Sequence, residues 1–316
     1  MGVTLLQYAE SLDQRKLPWP SPPAPIPVKA KPSTAPVPGI RLVLWNTYGT
    51  LLNIAGGDLR HQVDDDFMMN IALDKTITEF KMWGSMSRKP GQPAEYMKEI
   101  YKKVFTEFQF AGSDVKLPEI ASHRVWEAII GKLFQKEYKY DTTFYGDPNE
   151  FSQKVAFFFH RSLQGTAAYP HAATAIKEIA QLGIKQGVLS NGQVFTLPHL
   201  QYCLTQQSPG FDFQAILQEQ HSVVSFKASA RKPEDKVFEQ SIEMIEQMGI
   251  SPGQVLHIGN SIPRDLMPAK QWGMKTALFA GDRTSLEATS DDLKHPASRP
   301  DALLTQLIDI IPLLGH

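Results

Sequence analysis

Four short clusters of small polar and charged residues carry the chemistry this chain can offer. The first is Asn46-Thr47-Tyr48-Gly49-Thr50, directly after the apolar run Leu42-Val43-Leu44-Trp45. A buried strand that delivers one small polar residue into a tight turn is a way of presenting a nucleophile. An amide, however, does not attack phosphorus or carbon as a carboxylate does. The second cluster is Ser190-Asn191-Gly192, at the end of the apolar run 184–190. The third is Arg231-Lys232-Pro233, and the fourth is Gly259-Asn260-Ser261 with Asp265 close behind. Lys232 supplies a positive charge, Asp265 a carboxylate, and Ser190, Asn191, Thr47 and Thr50 short hydrogen-bonding groups.

To bring such clusters together the chain must supply strands that end side by side. Short apolar runs at 184–190, 221–225, 254–260 and 275–280 alternate with helical patterns such as 172–183 and 234–249. Alternation of this kind predicts βαβ units around a parallel sheet, which needs the strand at 41–45 as well. Ligands of such a sheet bind at the carboxyl ends of its strands, beside a topological switch point. From about residue 65 to 164 the spacing is helical instead, as in Tyr96, Ile100, Val104 and Phe108, or Val125, Trp126, Ile129, Ile130 and Leu133. That helical block is an insertion after the first strand.

Composition narrows the function classes. The chain has 316 residues, of which 42% are hydrophobic and 21% charged, enough for one large or two modest soluble domains. Its formal net charge of −1 offers no basic field for nucleic acid or an anionic membrane. No apolar run approaches the ~20 residues that span a bilayer. A single cysteine, Cys203, excludes an intrachain disulfide and reads as an ordinary packed thiol. The opening residues MGVTLLQYAE show no signal-peptide pattern, and Leu6 stands where myristoylation wants Ser or Thr, so a cytoplasmic location is expected. Residues 18–39 are too rich in proline for helix or sheet and predict a polyproline-like arm lying on the surface as a tether. Before it, Leu5, Leu6, Tyr8 and Leu12 predict one or two amphipathic helical turns.

The four clusters, in this order, resemble motifs I to IV of the haloacid dehalogenase (HAD) superfamily. Motif I there is an apolar strand followed by Asp-x-Asp-Gly-Thr, or Asp-x-Tyr-Gly-Thr in the dehalogenase branch, where this chain has Asn46-Thr47-Tyr48-Gly49-Thr50. Ser190 within VLSNG matches motif II, Lys232 within SARKPEDKVFEQ matches motif III, and GNSIPRD matches the Gly-Asp-Ser-x-x-x-Asp of motif IV. The resemblance implies an α/β fold, a doubly wound parallel-sheet Rossmann-like core with an inserted all-α cap of the C1 type. It divides the chain into an arm (1–39), a core (40–56 and 165–316) and a cap (57–164). It also implies a catalytic set of Asn46, Tyr48, Ser190, Lys232 and Asp265. Thr47, Gly49, Thr50, Asn191, Gly192, Asn260 and Ser261 would line the ligand site.

In that family the motif I aspartate attacks the substrate, the lysine offsets developing negative charge, and motif II holds the transferred group. Phosphatases of the family bind Mg²⁺ through the nucleophile, a backbone carbonyl two residues on, and a motif IV carboxylate. Here Asn46 replaces the nucleophile and Asn260 the first motif IV aspartate. Each lost unit charge at ~4 Å is worth on the order of 4 kcal/mol per unit of cation charge at an effective dielectric of 20. No cofactor is therefore expected, and Asp265 is a candidate for weak Mg²⁺ binding only. Tyr48 agrees with the metal-independent dehalogenase branch, although the nucleophile there is still an aspartate.

The expectation is thus a HAD-like hydrolase-family protein, impaired at Asn46, that binds a small anion or a protein partner. The alternative is an active phosphatase or dehalogenase, with Asn46 deamidated to aspartate or bypassed by another nucleophile such as Thr47. The structural expectation for Lys232 is an ion pair with Asp265, and for Ser190 and Asn191 the capping of local backbone. Within the cap, Asp64, Asp65 and Asp66 read as acidic residues at a helix N-terminus, His160 as a core-edge histidine beside Arg161, and Arg88 and Lys89 as solvated charges within reach of an anion.

Overall fold

The computed structural model describes residues 2–33, 35–86, 91–110 and 115–314. At its centre lies β1 (Leu42–Trp45), all four residues of which are buried. A strand with no polar face fits only where both faces are covered. β2 (Leu52–Ile54) and β3 (Thr166–Ala168) pair with each other, antiparallel. β4 (Lys185–Ser190), β5 (Val223–Val224), β6 (Val255–Gly259), β7 (Lys275–Phe279) and β8 (Ala302–Leu304) join β1 in a six-stranded sheet. The order is β5-β4-β1-β6-β7-β8, and every pairing is parallel. Leu42 lies opposite Lys185 on one side and Val255 on the other, so β1, β4 and β6 run in step.

From β1 the chain builds outward to β4 and β5, then returns through β6 to the opposite side of β1. The strand order therefore reverses at β1, and a crevice opens at its carboxyl end. Helices cover both faces of the sheet.

Between β2 and β3 the chain forms an all-helical block whose longer helices are Asp66–Glu79, Pro93–Gln109, Ser122–Phe134 and Pro148–Leu163. Local signals start several of them. Asp65 accepts from the backbone N–H groups of Phe67 and Met68, and Asp147 and Glu150 form a capping box around Pro148. Tyr101, Trp126 and Phe159 meet at the centre of the block with ring centroids 5.0 to 5.5 Å apart. The block leaves and rejoins the core through adjacent strands, with Leu52 opposite Ala168 and Ile54 opposite Thr166. The architecture is a Rossmann-like core with a helical cap inserted.

Two parts of the fold differ from the sequence expectation. Leu5, Leu6, Tyr8 and Leu12 lie on a ten-residue helix, Leu5–Gln14, longer than the one or two turns predicted, because a Thr4–Gln7 capping box closes its first turn. β2, β3 and β8 have only three residues each and leave no periodic pattern to detect. Among the described residues no helix is long and apolar enough to cross a membrane.

Candidate functional site

β1, β4 and β6 bring the four clusters together at the carboxyl edge of the sheet. Asn46 follows β1, Ser190 ends β4, and Asn260 follows β6, with Asp265 on the five-residue π-helical segment Ile262–Leu266. Lys232 lies on the loop after the short helix Ser225–Ala228, its backbone N–H donating to Asn191 Oδ1 at 2.7 Å. Asn46 Oδ1 accepts from Lys232 Nζ at 3.1 Å and from Ser190 Oγ at 3.0 Å. Asn46 Nδ2 donates to the Tyr48 carbonyl at 2.8 Å and to Asn260 Oδ1 at 2.9 Å. The partners determine which way the amide faces, since the reverse orientation would set its NH₂ against the ammonium.

Lys232 is equally committed. Its three N–H donors meet Asp265 Oδ1 at 2.6 Å, the Leu189 carbonyl at 2.9 Å and Asn46. Lys232 is 2% exposed and Asp265 3%. Burial pushes the Asp265 carboxyl up, but Lys232 and its cationic neighbours outweigh that and hold it below the usual carboxylate range. The ammonium is therefore balanced by a carboxylate and has no spare donor.

The smaller residues shape this arrangement. Gly49 has φ of +80°, and a Cβ there would lie 2.6 to 2.8 Å from the Asn260 side chain. Thr50 Oγ1 donates to Asn260 Oδ1 at 3.1 Å, and Ser190 Oγ accepts the Thr47 N–H at 3.1 Å. The Gly192 N–H donates to Ser225 Oγ at 2.9 Å, and the Ser261 N–H to Asp265 Oδ2 at 3.1 Å. Tyr48 is buried, with its hydroxyl 3.3 Å from Thr196 Oγ1, and burial raises its pKa. The Thr47 hydroxyl is buried and has no hydrogen-bond partner among the described residues.

At the mouth, Asp58 carries no signal in the sequence, whereas Arg231 and Arg264 lie within the third and fourth clusters with no role assigned to them there. Asp58 Oδ2 sits 2.7 Å from Arg231 and 3.4 Å from Arg264, and Arg264 Nε also reaches Glu287 at 2.6 Å. Beneath this bridge the cavity lined by Asn46, Tyr48, Asp58, Asn191, Arg264 and Asp265 encloses about 10 Å³, room for one water at most.

The cap candidates lie elsewhere. Asp65 is a helix cap, and Asp66 pairs with Lys98 at 3.1 Å on the surface. His160 is buried against Ser122 Oγ at 2.8 Å, and Arg161 binds Asp13 at 2.8 Å. Cys203 is buried, and burial lifts its thiol to about 12. Arg88 and Lys89 fall outside the described residues.

A parallel sheet with a lysine, a serine and a carboxylate gathered at its switch point, under a helical insertion, defines the architecture of a capped α/β hydrolase. The family model for haloacid dehalogenase-like hydrolases matches residues 48–273, and the chain belongs to that family. Among solved structures it is similar to the 2-haloacid dehalogenase from Pseudomonas syringae pv. tomato DC3000, at 15% identity over 87% of this chain and 97% of that one, with a TM-score of 0.52. It is also similar to a HAD phosphatase from Thermococcus onnurineus, at 17% identity over 87% and 98% of the two chains, with a TM-score of 0.46. A further match is the HAD-hydrolase YfnB from Bacillus subtilis bound to magnesium, at 19% identity over 88% and 99%, with a TM-score of 0.42. At 15% identity the likeness to the 2-haloacid dehalogenase is one of fold alone. No curated protein sequence matches the chain.

HAD enzymes typically use Mg²⁺, and the residues present here do not fit it. The Tyr48 carbonyl and Asn260 Oδ1, two of the oxygens a cation would need, both accept from Asn46 Nδ2. Asp265 is turned to Lys232 and to the Ser261 N–H. Mg²⁺ prefers carboxylate and water oxygens, and here an amide NH₂ already bridges the acceptors. Among the described residues no three His, Cys, Asp or Glu side chains gather as a metal site.

Proposed function

We propose that this chain is a HAD-fold protein that binds rather than hydrolyses, with Asn46 as a silent replacement for the nucleophile and no tight metal. One observation carries the reading: all of the hydrogen-bonding capacity of the Asn46 amide is spent inside the site, on Lys232, Ser190, Tyr48 and Asn260. A neutral amide held by two donors and two acceptors is a structural tie, with no negative charge and no uncommitted lone pair for attack on phosphorus or carbon.

The ligand class that suits the mouth is a small anion, phosphate or carboxylate. Asp58 already places one carboxylate between Arg231 and Arg264, and a diffusible anion of that shape competes for the same pair. Lys232 is reached only if Asp265 or Asn46 gives up its bond. A protein partner is the second reading, favoured by Phe67 and Phe110, which are 71% and 79% exposed on the helical block.

The route through Thr47 has little support, because its hydroxyl has no base beside it. The test is thermal denaturation in phosphate or vanadate against matched chloride, on the unmodified protein. Anion-specific stabilisation by mass action supports the reading. Equal curves in all three salts remove the small anion and leave the protein partner.

A further inference from the structure

The N-terminal segment is more than a tether. Its helix, Leu5–Gln14, inserts Tyr8, Ala9 and Leu12 with no exposure into the same apolar core that runs through the cap and the sheet. Tyr8 meets Phe80, Phe144, Tyr145 and Phe157 of the helical block at ring-centroid distances of 6.0 to 6.5 Å. On the same side, Arg15 grips Glu79 with two bonds of 2.6 and 2.7 Å, and the Val3 N–H donates to the Phe144 carbonyl at 2.9 Å.

The other side of that helix faces the core. Asp13 accepts from the hydroxyl of Tyr202, on the core helix Thr196–Gln207, and also from Arg161 at the end of the cap helix Pro148–Leu163. One carboxylate thus ties cap to core. Trp19 then covers the Arg161 guanidinium at 4.4 Å.

Beyond the helix the chain crosses the junction itself. A Cβ on Gly165, just before β3, would lie 2.4 Å from the backbone of Pro20 and Ser21, and Asn53 in β2 donates to the Pro23 carbonyl. The segment therefore lies over both strands through which the helical block leaves and rejoins the core. It is then fastened to the core by Ile26, which bonds Asp282 at 3.0 Å and Arg283 at 2.7 Å, and by the bridge from Ser33 to Leu303.

We propose that residues 2–33 are a built-in strap that holds the helical cap down on the sheet and keeps the mouth over Asn46 shut. The site beneath has room for one water at most, so any ligand larger than that enters only when the cap lifts, and the strap opposes lifting at three places: the Tyr8 socket, the Asp13 tie and the Gly165 crossing. The seam that must part is defined on the page. Glu119 of the cap segment accepts from Gln193 at 2.9 Å and Ser225 at 2.5 Å, and the Arg231 N–H donates to Leu117 at 2.8 Å.

The strap does not depend on whether Asn46 is silent, so its test is independent of turnover. Hydrogen exchange read by mass spectrometry is compared between the unmodified protein and an Asp13→Ala/Arg15→Ala variant, whose two changed side chains are partly exposed. A Tyr8→Ala variant is measured alongside. The strap predicts exchange about tenfold or more faster at 58–61, 117–122 and 229–233, with β6 and β7 unchanged, because only the seam opens. Uniform acceleration that includes β6 and β7 would make the helix a general stabiliser and overturn the proposal. No acceleration at the seam would overturn it equally. If Tyr8→Ala fails to fold, the Asp13→Ala/Arg15→Ala variant decides.

Discussion

Replacing Asn46 by aspartate is the most informative perturbation, because it puts a carboxylate where the motif resemblance places the nucleophile and breaks the tie that holds this site. The carboxylate cannot donate, so the Tyr48 carbonyl and Asn260 Oδ1 lose their shared donor at 2.8 and 2.9 Å and face a negative charge. The Tyr48 carbonyl, a buried acceptor left without its donor, costs roughly 1–3 kcal/mol, while Asn260 Oδ1 keeps Thr50 Oγ1 at 3.1 Å and loses one hydrogen bond of roughly 0.5–1.5, so the two together cost roughly 1.5–4.5. The new charge strengthens the contact to Lys232, now 3.1 Å, by roughly 1.5–3 kcal/mol. Lys232 already has Asp265, which limits that gain. The net is a loss of about 1 kcal/mol, or about 2 °C in melting temperature at ~2 °C per kcal/mol for a chain of this size. The assay is calorimetric melting with EDTA and with Mg²⁺. The unmodified protein should melt at the same temperature in both. Adding Asn260→Asp supplies a second carboxylate, and 10 mM Mg²⁺ binding at ~1 mM would return about 1.4 kcal/mol to the double variant. An Asn46→Asp protein that melts higher than the parent in EDTA, or a parent stabilised by Mg²⁺, would refute the reasoning.

Other outcomes follow from the same geometry. Asp265→Asn leaves the Lys232 ammonium buried among neutral acceptors and should cost about 3–5 kcal/mol by chemical denaturation. Gly49→Ala drives a methyl group into the Asn260 side chain and adds strain at positive φ, so it should destabilise by about 1–3 kcal/mol, seen as a lower urea midpoint with an unchanged slope. His199 and His257 are pushed down to about 3 and His123 to about 4, in each case chiefly by burial. Folded values below the unfolded value of about 6.5 mean that their stability contribution is full above pH ~6.5 and is lost as pH falls toward about 4, by about 1.4 kcal/mol per pH unit for each. Melting temperature measured across that window should fall steeply on the acid side.

Much of this site is legible in sequence because each piece sits where a local pattern ends. Leu42 to Trp45 form an unbroken apolar run that can only be a central strand, so Asn46 at its end is conspicuous, and the same holds for Ser190 and Asn260. What no local pattern reveals is the set of contacts made across the chain. Asp58, Arg231 and Arg264 are separated by long stretches and meet only because the cap folds back over the sheet. The direction in which the Asn46 amide faces depends on Lys232, 186 positions away. β2 and β3 are invisible as three-residue strands, although they are the stem of the cap. Proline content predicts neither helix nor sheet from residue 18 on, and residues 18–32 form neither, although Ser33 makes a single bridge to Leu303; composition does not reveal that Tyr8 before this stretch is an anchor with no exposure.

The central claim, that Asn46 makes this a binding protein within a hydrolase family, is tested most directly by turnover. Small phosphate esters and 2-haloacids are offered, with and without Mg²⁺, to protein whose intact and peptide masses show residue 46 as unmodified asparagine. The account predicts neither a burst nor steady-state release of phosphate or halide. Sustained hydrolysis by that material would contradict it and direct the search for a nucleophile to Thr47.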